Sequence, residues 1–261
     1  MPKIQFESST SCNSRCTFCP REKMTRPMGE MSDELFHKII KEGKEMKAAF
    51  FSPFLNGEPF VFSRMWKWLD YMEKEGVQTV LYTNGEFLDV DRLIKYKNIR
   101  YVNCSFNGAT KETYDKVMRR PDYDTCLKNI KELVEKAPFN VKVSMVVTED
   151  NQHETELFKK MWGTKRKMRP FLNWAGGEKS SIAKIGGKKP CYSLLQHMTI
   201  LWDGRVVPCC MDWDGEMILG DVNKNTLKEI WDSYEWMREK HKNLDFDIPI
   251  CKKCNFNCDG K

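Results

Sequence analysis

No apolar run in this chain approaches the ~20 residues that a membrane-crossing helix requires, so no spanning segment is expected. The opening Met1-Pro2-Lys3-Ile4-Gln5-Phe6-Glu7 lacks the apolar stretch of a secretory signal, and nothing in the composition has the bias of a disordered chain. Charge of one sign is only slightly in excess, at +6. The basic clusters, Lys165-Arg166-Lys167-Met168-Arg169 and the stretch from Lys184 to Lys189, come without an aromatic–basic nucleic-acid motif. They therefore read as solvated faces, and a nucleic-acid partner is not expected. What is plentiful is cysteine: eleven, without a secretion signal, favour metal thiolates over disulfides and a reducing cytoplasm. An apolar content of 41% with eight Trp and fifteen Phe supplies a sizeable core, for one large domain or one domain with a small appendage.

The most informative stretch is Cys12-Asn13-Ser14-Arg15-Cys16-Thr17-Phe18-Cys19-Pro20, spaced C-x3-C-x2-C with an aromatic residue before the last cysteine. Closely spaced thiolates let one short loop wrap an iron–sulfur cluster; a zinc knuckle or a disulfide loop is the plainer alternative. A four-iron cluster needs four ligands, and the next cysteine is Cys104. Either a distant cysteine completes the site or one iron is left open, and an open position is how a metal site does chemistry.

Hydrophobic periodicity sets strands against helices in regular alternation. Strands are expected at Ile4–Glu7, Ala48–Leu55, Val77–Tyr82, Ile99–Ser105, Val141–Thr148 and Met168–Trp174. Helices are expected after Ser32, around Met65–Met72 and up to Gly76, at Val90–Tyr96, through Leu127–Val134 before Pro138, and at His153–Trp162. Six such units imply a parallel α/β sheet, either doubly wound or curled into a barrel, with its site at the C-terminal strand ends. Gly176-Gly177, Ser180-Ser181 and Gly186-Gly187 mark a linker, which divides the chain near residue 180 into parts 1–180 and 181–261.

The cysteine loop following an N-terminal strand resembles the radical S-adenosylmethionine (radical SAM) enzymes. The resemblance implies a partial (β/α)6 TIM-like barrel and a 4Fe–4S cluster on Cys12, Cys16 and Cys19 whose open iron chelates SAM. It also implies reductive cleavage to a 5′-deoxyadenosyl radical that removes a substrate hydrogen. Further segments match in order along the chain. Asn56-Gly57-Glu58-Pro59 resembles the family's GGE-type motif, with Gly57 and Glu58 matching and Asn56 departing. A glycine admits close backbone approach and a carboxylate suits the SAM ammonium. Thr83-Asn84-Gly85 resembles the family's TNG, near ribose and carboxylate. Ser105-Phe106-Asn107-Gly108 resembles its S-x-D-G segment, Asn107 standing where Asp is commoner. The same resemblance gives the SAM carboxylate a hydrogen bond from Ser105 and a salt bridge from Arg119, with Arg120 as the alternative, sets Val147 and Asn151 against adenine and ribose, and backs the adenine with Phe18. Taken singly these segments are turns, and Phe18 a core aromatic.

Cys191, Asp203-Gly204, Pro208-Cys209-Cys210, Leu219-Gly220, Ile230-Trp231, Cys251, Cys254 and Cys258 together resemble the SPASM/twitch extension of that family. It implies a β-hairpin turning at Asp203-Gly204, a following helix and auxiliary iron–sulfur ligation, with four-thiolate zinc as the alternative. One auxiliary 4Fe–4S cluster on Cys191, Cys209, Cys251 and Cys254, with Cys258 able to replace Cys251 or Cys254, uses the six tail cysteines most economically. Cys104 and Cys126 read as core residues. The small size and the cysteine spacing are most similar to small members of the 2-deoxy-scyllo-inosamine dehydrogenase type.

The expected activity is a radical SAM oxidoreductase performing a two-electron oxidation, with the auxiliary cluster taking the electron and a flavodoxin or ferredoxin as reductant. Glu7, Arg169 and Asp212 are candidates for contact with a small-molecule or peptide substrate, against a plainer reading as surface charges. Two rival readings are modification of a ribosomally made peptide, with no added peptide-recognition domain in this sequence, and a non-catalytic zinc or cluster module that binds RNA.

Overall fold

The computed structural model describes residues 1–181 and 189–255. Its core is a single nine-stranded sheet in the order β6-β5-β4-β3-β2-β1-β7-β8-β9. The first six strands are β1 (Lys3–Phe6), β2 (Phe51–Ser52), β3 (Thr79–Thr83), β4 (Ile99–Ser105), β5 (Asn140–Val146) and β6 (Arg166–Arg169). They are parallel and lie side by side in chain order. A doubly wound sheet reverses its strand order at a switch point, whereas five successive crossovers in one sense curl the sheet into part of a barrel. The barrel stays open, because the outer edge of β1 is taken by β7 (His197–Ile200), again in parallel.

Between the strands lie α1 (Asp33–Glu45), α2 (Met65–Lys74), α3 (Val90–Leu93), α4 (Lys111–Met118), α5 (Tyr123–Lys136) and α6 (Thr155–Trp162). Helix starts follow local chemistry: the Ser32 hydroxyl accepts from the Leu35 N–H at 3.1 Å, and the Asp122 carboxylate from the Thr125 N–H at 2.8 Å. Gly76 follows α2 at φ +67°, the left-handed position that stops a helix. Along each strand one set of side chains, Ile4, Phe6, Leu81, Val102, Val141 and Val143 among them, packs with the helices in one hydrophobic cluster. Alternate residues face inward and are polar: Asn103 donates to Ser144 Oγ at 2.7 Å across β4 and β5. Cys104 and Cys126 are fully buried in the helix-side core, as expected.

Several boundaries move. The sixth strand covers Arg166–Arg169 rather than Met168–Trp174, because Pro170 has no N–H with which to extend the ladder. Pro53 likewise limits the second strand to Phe51–Ser52, and the third helix ends at Leu93. The linker is tied down at its start: the carboxylate of Glu149 accepts from the Ser180 hydroxyl and the Ser181 N–H at 2.7 and 2.6 Å. Its Gly186-Gly187 half lies outside the described residues.

The C-terminal part does not form a sheet of its own. After α7 (Tyr192–Gln196), strands β7 and β8 (Arg205–Val207) make the expected hairpin, with Gly204 at φ +95° in its turn. β9 (Gly220–Asp221) adds to β8, and α8 (Leu227–Ser233), α9 (Glu235–Lys242) and α10 (Pro249–Lys253) complete the fold. Thr226 and Glu229 form a capping box at the start of α8, and the Leu227 N–H donates to Glu42 of α1 at 2.7 Å. Among the described residues no helix is long and apolar enough to cross a membrane.

The seam between β1 and β7 carries a pH signature. The His197 ring packs edge-on to Phe50 and Tyr192, and burial, followed by the charge of Lys3, lowers its pKa to about 4. The unfolded histidine takes up a proton near pH 6.5, so between the two values the unfolded state binds more protons and stability falls as pH falls. Allowing for the ring's partial exposure, this amounts to about 2 kcal/mol between pH 7 and pH 4.5. In urea unfolding at pH 7 and pH 5, His197→Phe is expected to lose less midpoint than the parent protein. Equal losses would remove His197 as the cause.

Candidate active site

The cysteine loop leaves the C-terminal end of β1 and is gripped by the turns after β2 and β3 and by the C-terminus of α4. After β2, the Glu58 N–H donates to the Ser11 carbonyl at 2.8 Å. A Cβ on Gly57 would lie 2.1 Å from the Ser9 carbonyl oxygen, so the glycine lets this turn pack closely against the cysteine loop. After β3, the Asn84 amide donates to Asn13 Oδ1 at 2.8 Å and Ser14 Oγ at 3.2 Å. Beyond β4, the last carbonyls of α4 accept from the loop: Val117 from Thr17 at 2.9 Å and Met118 from Arg15 at 3.2 Å. Carbonyls at a helix C-terminus have no partner within the helix, which makes them available to a neighbouring loop.

The three thiols therefore share one half-buried loop. Burial pushes Cys12 up to about 12, with the Glu58 carboxylate adding to the shift, and raises Cys16 further, with Cys19 and Cys12 contributing. Cys19 is raised too, by burial, partly offset by its hydrogen bond to the Arg21 N–H and by that residue's charge. Thiols crowded in this way become thiolates only when a strongly positive centre compensates, which is the chemistry of a cluster ligand set. The Met118 sulfur lies 3.6 Å from Cys16 Sγ.

Glu58 is buried, and its carboxylate is directed to the protein rather than to open space. It accepts from Thr83 Oγ1 at 2.7 Å, the Asn84 N–H at 2.8 Å and the Phe60 N–H at 3.3 Å. Burial raises its pKa to about 7 in spite of those bonds. Glu58, Thr83 and Asn84 thus come together as one brace under the loop. Asn107 and Asn151 form a second: Asn107 Oδ1 accepts from the Val146 N–H at 2.8 Å, and Asn151 Nδ2 donates to the Asn107 and Val146 carbonyls, both at 2.9 Å. Ser105 is half-buried at the end of β4, and Val147, also half-buried, donates its N–H to the Arg169 carbonyl at 2.9 Å. Phe18 is half-buried outside the core cluster, and its carbonyl accepts from Trp174 Nε1 at 2.9 Å. Arg119 is exposed, at φ +62° past the end of α4, and is not brought into this group.

The reading of Glu7 and Asp212 as surface charges is corrected. Glu7 is fully buried: its carboxylate accepts from Arg26 Nη2 at 2.6 Å, Asn56 Nδ2 at 3.2 Å and the Trp202 N–H at 3.3 Å. Asp212, also buried, accepts from the Glu216 and Met217 N–H groups at 2.8 and 3.0 Å. Arg169 is half-buried on the inner wall of the barrel. Asn13, Glu86 and Arg26 belong to the same assembly and were not expected. Glu86 Oε1 accepts from the Asp122 N–H at 2.8 Å while Oε2 meets Asn13 in the cysteine loop.

In the C-terminal part, Cys191, Cys209, Cys251 and Cys254 line one recess together with Pro208, Met211 and Ile250. His241 borders it and accepts from the Cys191 N–H at 3.2 Å. Cys210 packs with Leu55, Leu201 and Val207, and lies near enough to Cys191 and Cys254 for them to add to the effect of burial in pushing its thiol up to about 12. Cys258 lies outside the described residues.

Residues 6–161 match the family model of the radical SAM superfamily. The chain belongs to that superfamily. Residues 191–255 match the SPASM model, an iron–sulfur cluster-binding domain, so this radical SAM enzyme has auxiliary iron–sulfur ligation in addition to a SAM-binding 4Fe–4S cluster. Mycofactocin maturase of Mycobacterium tuberculosis is 27% identical over 59% of the chain; the chain spans about 40% of that protein's length. The S-adenosyl-L-methionine-dependent 2-deoxy-scyllo-inosamine dehydrogenase of Niallia circulans is 22% identical over 97% of the chain and 92% of its own. Among solved structures, BtrN in complex with AdoMet and 2-DOIA superposes with a TM-score of 0.62 at 18% identity, covering 98% of this chain and 93% of that one. Streptococcus suis SuiB bound to precursor peptide SuiA gives 0.75 at 16% identity, covering 90% and 66%. The radical SAM assignment replaces the reading as a non-catalytic zinc or cluster module.

Proposed function

We propose that this radical SAM enzyme is an oxidoreductase that removes two electrons from its substrate and passes one to a single auxiliary 4Fe–4S cluster. Its SAM-binding cluster would be held by Cys12, Cys16 and Cys19, and the auxiliary cluster by Cys191, Cys209, Cys251 and Cys254. When bound, the first cluster and SAM supply a 5′-deoxyadenosyl radical that takes a hydrogen atom from a substrate C–H bond. The observation that carries the reading is the recess lined by four cysteines. Four thiolates fill the coordination of a four-iron cluster and leave no iron for substrate, a ligation suited to electron transfer.

The chain's own residues orient and enclose. The Glu58–Thr83–Asn84 brace fixes the cysteine loop, and the Asn107–Asn151 brace fixes the ends of β4 and β5 beside it. Ser105, Val147 and Phe18 are the side chains of the expected SAM set left half-buried at this end of the barrel. A flavodoxin or ferredoxin is the natural reductant. The second reading, radical modification of a ribosomal peptide, is favoured by the similarity to mycofactocin maturase and to SuiB, whose structure holds a precursor peptide.

Anaerobic reconstitution tests both cluster assignments. The parent protein is expected to hold roughly eight irons, and a Cys251→Ala/Cys254→Ala variant roughly four. That variant should still release 5′-deoxyadenosine with SAM and dithionite while losing the electron paramagnetic resonance signal of the second cluster. Roughly eight irons in the variant, or zinc in the parent, would overturn the assignment.

A further inference from the structure

The inner wall between β3 and β6 carries positive charge without a counterion. Arg169, the last residue of β6, reaches back into the barrel, where its Nη2 donates to Asn103 Oδ1 at 3.3 Å. Its guanidinium stands 5.7 Å from the Tyr82 ring. Lys167, on the same face two residues earlier, places Nζ 5.6 Å from the Tyr101 ring. Tyr101 donates to Asn103 Oδ1 at 3.1 Å, and Phe54 stacks on Tyr82 at 5.2 Å, so the wall is aromatic and cationic. Among the described residues, no Asp or Glu forms an ion pair with Lys142, Lys167 or Arg169; Lys142 donates instead to the Thr164 carbonyl and Arg169 to Asn103. Arg169 Nε is buried and has no hydrogen-bond partner.

An orphaned guanidinium N–H inside a protein is costly, and two unpaired cations on one wall repel each other. Both costs are relieved by an anion. A planar fork of donors fits a carboxylate or a phosphate, and the flanking tyrosine and phenylalanine rings offer apolar contact to whatever the anion is attached to. The neighbouring carboxylates do not compete: Glu7 and Glu58 are already saturated with donors. In register, Lys167 lies beside Ser144 and, across it, Ser105, and Arg169 lies beside Val146, so this wall reaches the strand ends where Ser105 and Val147 also lie.

We propose that Arg169 and Lys167 form the anion-binding subsite of the substrate pocket, and that the substrate carries a carboxylate or a phosphate held against Tyr82 and Tyr101. The assignment deepens the oxidoreductase reading and rests on it for the word substrate. The test is isothermal titration of the reconstituted protein with inorganic phosphate, with acetate and with neutral acetamide, at ionic strength held constant with potassium chloride. Phosphate or acetate should bind measurably while acetamide does not, and the anion bound more tightly names the group on the substrate. Arg169→Met should weaken that anion about tenfold or more, Lys167→Met about threefold, and Arg169→Lys should restore part of the loss.

Unchanged anion affinity in Arg169→Met and Lys167→Met overturns the subsite, as does equal binding of acetamide. Should Arg169→Met fail to fold, Lys167→Met decides, because its side chain is exposed. Release of 5′-deoxyadenosine is measured in the same parent preparation. Release with no Arg169-dependent anion affinity overturns the subsite alone. Anion binding with no release overturns the oxidoreductase reading and leaves an anion site on the barrel wall.

Discussion

Alanine at Cys12, Cys16 or Cys19 is expected to reduce 5′-deoxyadenosine formation to below about 1% of the parent rate, because even partners that only orient metal ligands cost 10–100-fold when lost. Each substitution removes one of the three thiols on the loop, and among the described residues the next two cysteines along the chain, Cys104 and Cys126, are buried in the hydrophobic core. Iron content should fall by roughly half, to that of the auxiliary site. Cys104→Ala and Cys126→Ala provide the contrast. They leave small cavities in a packed core, cost stability of about 1 kcal/mol and are expected to leave SAM cleavage intact. Assay of 5′-deoxyadenosine alongside iron analysis separates the two groups. Cleavage that survives in Cys16→Ala, or disappears in Cys126→Ala, would remove the loop from its central role.

The loop was legible in the sequence because its chemistry is local: three thiols and an aromatic residue within nine positions. The strand ends were legible for a similar reason. Turn residues such as Asn84, Gly85 and Gly108 mark each return of the chain to the same end of a parallel sheet. Strand lengths were less so, since β2 and β6 are cut short by Pro53 and Pro170 inside apolar runs that otherwise continue. The sheet that joins both parts of the chain was not legible at all. β7 reads as one arm of a hairpin, and nothing in His197–Ile200 announces that its other edge pairs with Lys3–Phe6, nearly two hundred residues earlier.

The same limit applies to side-chain roles. Gly57 and Glu58 sit where a motif expects them, yet their nearest partners are Ser9, Thr83 and Asn84 and not open space. Arg119 follows α4 as expected, but a left-handed turn at its own position leaves it exposed. Whether a charged residue is buried depends on what the chain brings to it from a distance. Asp214, for example, accepts from Thr25 Oγ1 at 2.6 Å across 189 residues. No periodicity carries that information.

The Glu7–Arg26 pair shows how much depends on such a contact. Arg26 Nη2 and Glu7 Oε1 are 2.6 Å apart with side chains 3% and 0% exposed, which makes this ion pair among the most enclosed in the described chain. Breaking a buried pair strands the remaining charge, at a cost of 3–5 kcal/mol in typical cases, so Arg26→Met is expected to destabilise the protein by about 4 kcal/mol. Glu7→Gln keeps the shape and an acceptor oxygen and should cost less. In Glu7→Gln/Arg26→Met no charge is left buried, and most of the loss should be recovered, a coupling of about 2 kcal/mol or more in a double-mutant cycle from urea unfolding. The effect should reach the site as well. Glu7 accepts from Asn56, next to the Gly57 turn that packs on the cysteine loop, and from Trp202 of the hairpin, while Arg26 Nε donates to the Trp213 carbonyl at 2.9 Å. One carboxylate therefore joins β1, the turn after β2 and the auxiliary domain. Losses that simply add in the double variant would show the pair to be energetically independent, and the link between the two cluster-bearing parts would then have to lie in the β1–β7 backbone ladder instead.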